Sequence, residues 1–181
     1  MLLILSTSTI VPKELKRKVV LEERRSVRHY NSLELSKETI EDILNYAILS
    51  PSAHNRQPWH FIVIENQVLK KEIGDLLQDK MGEVAQVTSN VIRKSQALIL
   101  VFADITEEIM DIVSVGACIE NMILRARDLN VASLWIGYIL NIEEELKNKF
   151  ALNKRLISAV ALGYTDHFPS KRPRKELNEV S

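Results

Sequence analysis

Between Glu107 and Leu129 the chain carries a helix so apolar that the rest must be arranged around it. Ile112, Val115, Ile119, Met122, Ala126 and Leu129 recur at steps of three, four, three, four and three, which aligns them along one face of an α-helix. Val113, Gly116, Ala117, Ile123 and Leu124 add apolar surface beside that seam. A helix of this kind has to be covered on more than one side. Two arrangements do so: burial at the centre of a monomer, or packing on a sheet with the far side against a second copy in an isologous homodimer. The homodimer is expected.

One sizeable core and no more fits in 181 residues, so a tail of residues 1–12 is expected to precede a single domain over 13–181. Lys plus Arg and Asp plus Glu balance at 24 each, which argues against nucleic acid or an acidic membrane as the main partner. Met1–Leu5 and Ala97–Ala103 are apolar but far too short to span a bilayer. A single cysteine, Cys118, excludes an internal disulfide framework and suits a reducing cytoplasm.

In chain order, Pro12 opens a helix through Arg24, with Leu15 and Val19 on its apolar face. Ser36 caps a helix from Lys37 to Leu49. A strand runs from Trp59 to Glu65, and residues 66–94 read as two helices parted at Met81-Gly82. The strand Ala97–Ala103 precedes the long helix. Ala132 to Tyr138 is extended, Asn141 caps a short helix through Phe150, and Leu156–Leu162 is a last strand. Strands separated by helices would by themselves suggest a doubly wound parallel sheet.

Three segments carry chemistry. The loop from Pro51 to Gln57 is stiffened by Pro51 and Pro58, and Ser52, Asn55 and Gln57 present donors and acceptors suited to a flat heteroaromatic ring. Its plainer reading is a helix-to-strand connection. Arg24, Arg25, Ser26 and Arg28 form one basic cluster and Lys171 to Lys175 another. Arginine forks match phosphate oxygens, whereas the plainer reading of each cluster is solvated charge. His54 and His60 lack the companions of a metal site, and the glycines form neither GxGxxG nor a P-loop. No metal and no Rossmann-type nucleotide site is expected.

Arg24-Arg25-Ser26-Val27-Arg28-His29-Tyr30 followed by Pro51-Ser52-Ala53-His54-Asn55-Arg56-Gln57-Pro58-Trp59 resembles the RRSxR-aromatic and PSxxNxQPW motifs of the nitroreductase family of FMN-dependent enzymes. The resemblance continues through the long helix into Ser133-Leu134-Trp135-Ile136-Gly137 and ends at Leu162-Gly163-Tyr164, with Arg172 and Arg174 beyond. It implies an α+β fold: a mixed, mostly antiparallel sheet flanked by helices, with the long helix at a homodimer interface and a C-terminal arm crossing to the partner.

The resemblance also implies a bound FMN reduced by NAD(P)H, which then reduces a small electrophile such as a nitroaromatic or quinone in a ping-pong cycle. Arg24, Arg25 and Ser26, joined by Arg172 and Arg174, would hold the phosphate and ribityl end, with Arg28 at the N1/O2 edge. Ile136 and Gly137 would approach the ring through their backbone. Pro51, Ser52, Ala53 and Asn55, with Gln57 in a lesser part, would touch the ring bound to the other subunit. The flavin carries the chemistry, so no side chain is assigned as catalytic, and water or reduced flavin supplies protons. The region 66–94 is expected to cover the substrate side. Two alternatives stand beside this reading: a specialised flavoenzyme of the same fold, acting in dehalogenation or flavin breakdown, or a non-catalytic FMN- or nucleotide-binding module. One departure from the family is Leu129-Asn130-Val131, where Gly-Leu-Gly is common; Asn130 can take the left-handed conformation that ends a helix.

Overall fold

A computed structural model describes residues 20–105 and 108–181. The tail 1–12 and most of the first expected helix lie outside the described residues; residues 20–23 are helical and Arg24 is already beyond the turn. Along the chain come α1 (Lys37–Ala47), β1 (Trp59–Ile64), α2 (Gln67–Met81), α3 (Gln86–Lys94), β2 (Ala97–Ala103), α4 (Glu108–Asp128), β3 (Ala132–Ile136), α5 (Glu143–Phe150) and β4 (Arg155–Gly163). Short 3-10 turns occur at Ala53–Asn55, Gly82–Ala85, Tyr138–Ile142 and Leu177–Glu179.

Every residue of β2 is buried. Ile99 and Val101 face one core, and Leu98, Leu100 and Phe102 face the other. A strand apolar on both sides has to sit inside a sheet covered on both sides, and the order is β1-β2-β4-β3. All strand pairings are antiparallel, which overturns the doubly wound parallel alternative. An isolated parallel bridge joins Ser26 to Ser133 at the β3 edge, so the sheet is mixed only at its fringe.

The first core lies under α1 and α4. Ser36 caps α1 as expected, its Oγ accepting from Thr39 N at 3.2 Å, and Ile40, Ile43 and Ala47 turn inward. From α4, Val115, Ile119, Met122 and Ala126 are fully buried against the sheet, with Ile112 and Leu129 half-buried at the ends. Each large side chain so buried contributes about 1.5–3 kcal/mol. The heptad-like seam is therefore the chain's own core contact. Cys118 lies in it, and burial pushes its thiol up to about 12. The opposite stripe keeps Ile109, Met110 and Val113 exposed.

The second core is roofed by α2 and α3, which contribute Ile73, Leu77, Val91 and Ile92. The expected break falls at Gly82, whose φ of 66° lies in the left-handed region open to glycine. Ile73 and Leu77 on α2, and Val91 and Ile92 on α3, form one stripe along each helix turned onto the sheet, because burying apolar positions that recur at helical spacing outweighs their solvent exposure. Lys70 of α2 is buried too. Its Nζ donates to Ser95 O and to Gln96 O, the latter at 2.9 Å, satisfying carbonyls at the end of α3. Desolvation lowers its pKa.

Two local expectations change. Asn141 does not cap α5: its Nδ2 donates back to Tyr138 O at 2.9 Å inside the 3-10 turn, and the helix starts at Glu143. Gly163 has a packing reason, because a Cβ there would come within 1.7 Å of Gln96 Oε1. That space lets Gln96 Nε2 donate to Asn31 O at 2.5 Å. Among the described residues no helix is long and apolar enough to cross a membrane.

Candidate functional site

The two basic clusters converge. Arg24, Arg25, Ser26 and Arg28 form one wall of a cleft of about 420 Å³, and Pro169 to Arg172 with Arg174 form another. The first wall is set by Val27, 1% exposed, whose N donates to Ser133 O at 2.9 Å on the β3 edge. Period-two alternation about that anchored residue turns Ser26 and Arg28 outward. The second wall follows β4: Asn31 N donates to Tyr164 O, and Asn31 Nδ2 to Asp166 Oδ1, each at 2.8 Å.

The cleft's cations are engaged by neutral acceptors. Arg25 Nη1 donates to Glu22 O at 2.6 Å and Arg24 O at 2.9 Å. Arg28 Nη1 donates to Ser26 O at 3.2 Å, and Arg174 Nη1 to Pro173 O at 3.2 Å. Arg25 Nε is buried with no partner. Carbonyls orient a guanidinium without neutralising it, so the cleft, lined by more cations than carboxylates, presents an excess of positive charge to an anion. One carboxylate residue, Glu22, also lines it.

Pro51 to Gln57 lies elsewhere. His54, Asn55 and Gln57 all have positive φ, 51°, 53° and 49°, a conformation that side chains with a Cβ adopt at a cost. The loop is clamped to α4: Arg56 Nη2 lies 2.9 Å from Asp111 Oδ1, whose side chain is 1% exposed. Ala53 N donates to Ser114 Oγ at 3.2 Å, and Gln57 N to Ser52 Oγ at 3.0 Å. Ser52 and Gln57 are thus partly occupied inside the loop, since Gln57 Nε2 also reaches Asn55 O at 3.4 Å. Pro51 and Asn55 are exposed and Ala53 half-buried. Proline stiffness alone does not account for this shape; Arg56, Asp111 and Ser114, unassigned from sequence, hold it. A signal existed, an aspartate in the apolar helix, but its partner lies 55 positions away.

The loop is fastened at Asp111 and Ser114, whereas the cleft lies at the opposite end of α4, beside Ser133. From Asp111 to Arg127, at 1.5 Å per helical residue, is about 24 Å. One chain therefore does not bring the two motifs together. Between them, Ile136 is buried at the end of β3 with its O accepting from Ser158 Oγ at 2.8 Å, and Gly137 is exposed. A Cβ at Gly137 would meet nothing within 4 Å, so the chain's own packing does not require glycine there.

Comparison with known proteins matches residues 21–164 to the sequence profile described as "Nitroreductase family". An Archaeoglobus fulgidus protein named "Putative NADH dehydrogenase/NAD(P)H nitroreductase" is 37% identical over 150 residues, covering 78% of this chain and 80% of that protein. A Desulfovibrio desulfuricans structure described as "a putative nitroreductase in complex with fmn" superposes with a TM-score of 0.78 at 28% identity, covering 91% of this chain and 94% of that one. A Desulfitobacterium hafniense "Nitroreductase with bound FMN" shares the fold, with a TM-score of 0.75 at 23% identity, covering 91% and 95%.

Proposed function

The chain belongs to the nitroreductase family, and on that premise we propose that it is an FMN-dependent oxidoreductase, acting as a homodimer whose basic cleft takes the FMN phosphate. The observation that carries the assignment of the cleft is the convergence of Arg24, Arg25 and Arg28 with Arg172 and Arg174, cations that outnumber Glu22 among the lining residues. The open space at Gly137 leaves room for a flat ring to approach the backbone there.

When bound, FMN supplies the two-electron chemistry: it accepts hydride from NAD(P)H and, in a separate half-reaction, reduces a small electrophile such as a nitroaromatic or quinone. The chain's part is position and charge. Arg24, Arg25, Ser26, Arg172 and Arg174 hold the phosphate and ribityl end through charge-assisted bonds. Arg28 offers a fixed cation that attracts negative charge at the N1/O2 edge of the ring. Ile136 and Gly137 bring backbone groups to it. Pro51, Ser52, Ala53, Asn55 and, less directly, Gln57 act on the ring bound to the second copy.

The 24 Å between loop and cleft along α4 supports that last assignment. A second copy packed antiparallel along α4, so that its exposed Ile109, Met110 and Val113 lie against the C-terminal half of this chain's helix, carries its loop toward this chain's cleft end. A reducing cytoplasm suits the single buried thiol.

The test is the absorbance spectrum of the purified protein before and after NADPH or NADH without oxygen. The expected result is about one flavin per chain, bleached on addition. A colourless protein that also fails to take up added FMN would overturn the reading.

A further inference from the structure

Arg127, near the end of α4, has no role in the site as described so far. Its Nη2 donates to Glu23 Oε2 at 2.6 Å and its Nη1 to Asn130 Oδ1 at 3.1 Å. Its guanidinium carbon lies 4.4 Å from the centroid of the Phe168 ring. Glu23 immediately precedes Arg24, and Phe168 immediately precedes Pro169, so the residues flanking both walls of the cleft are held by one planar group. That group is mounted on a helix of 21 residues, and its side chain is 17% exposed.

Such a fastening has a physical task. The cleft gathers Arg24, Arg25, Arg28, Lys171, Arg172 and Arg174, whose like charges push the walls apart when no anion lies between them. Residues 171–176 are exposed and without regular structure. Arginine suits the position because its fork bonds Glu23 and Asn130 while its face stacks on Phe168, a combination lysine cannot reproduce.

We propose that Arg127 is the positioning residue of the basic cleft, holding the Arg24–Arg28 segment and the Pro169–Arg174 arm together so that the phosphate site is assembled before its ligand enters. This rests on the reading of the cleft as the FMN phosphate site. Both terminal nitrogens of Arg127 are engaged within the chain, so it acts through its neighbours.

The test equilibrates the full-length, FMN-loaded protein with rising riboflavin, which has the same ring and no phosphate, and identifies the flavin retained after filtration. Wild type is expected to keep FMN against a large excess. Arg127→Gln is expected to lower the preference for FMN over riboflavin by about tenfold with total bound flavin unchanged, and Arg127→Lys to fall between. Glu23→Gln and Phe168→Leu, milder surface changes, are expected to lower the same ratio by about threefold each and carry the test if Arg127→Gln does not fold. An unchanged ratio in the folded variants, or equal weakening of both flavins, overturns the proposal. A wild-type protein indifferent to the phosphate overturns the reading of the cleft itself and the proposal with it, an outcome seen before any variant is measured.

Discussion

Among the described residues Arg28 and Arg174 donate to backbone carbonyls within a few residues of themselves, so removing either costs the fold little and a bound anion a great deal. Arg28→Ala and Arg174→Ala are each expected to weaken FMN binding by about 1.5–3 kcal/mol, the worth of a hydrogen bond to a charged group. Flavin fluorescence after dilution measures it, and thermal midpoints should stay near wild type. Tyr30, next to that segment in sequence, gives a prediction about pH. Its hydroxyl donates to Ala161 O at 3.1 Å, and burial raises its pKa above the usual 10.0. A phenol whose folded pKa is raised contributes stability that is fully present below 10.0 and is lost as pH climbs past it, because the unfolded chain ionises first. Denaturant midpoints should therefore fall above about pH 10, and Tyr30→Phe should flatten that fall while losing about 1 kcal/mol at neutral pH.

At the scale of elements, α4 is the shared support of everything proposed to be functional. Its inner face is the core, its Asp111 and Ser114 hold one motif, and the other motif lies beyond its far end. The strained loop keeps three residues at positive φ because these clamps over-determine it. Asp111→Asn removes the charge facing Arg56, whose side chain remains 22% exposed. The cost should accordingly fall below that of a fully buried pair, about 2 kcal/mol, with faster proteolysis at residues 53–57 as the local readout. Stability unchanged within error would show that the loop holds its shape without the clamp. The helix also shows where periodicity misleads. The regular spacing of the seam says that it is buried and not what buries it, and Val115, Ile119, Met122 and Ala126 lie in the core beside the sheet. The less regular stripe through Ile109, Met110 and Val113 stays exposed.

For the whole molecule, the separation of the motifs makes a prediction that no single chain can satisfy alone. Asn55→Ala and Arg28→Ala disable different halves of the proposed site. Co-expressed as a mixed dimer, they should recover up to about one wild-type site's activity per dimer in the mixed fraction, about half that of a wild-type dimer, because one of the two sites is then intact. Recovery no greater than the sum of the separate variants would sink the exchange of loops between copies.

What the linear chain determined by itself was local and compositional. Two motifs pointed to one family, β2 and α4 to a core covered on both sides, and Ser36, Gly82 and Asn130 to the ends or breaks of helices. Those features depend on neighbours within a turn or two, and backbone sterics and side-chain periodicity act at that range. The antiparallel sheet was legible only through the family resemblance, and only the tertiary structure decided which faces of the helices over 67–94 meet the sheet, that Arg56 meets Asp111, and that Arg127 meets both Glu23 and Phe168. Each of these joins residues far apart in sequence, and such contacts are chosen by how whole faces bury and which polar groups then need partners, a balance that no short stretch of residues contains.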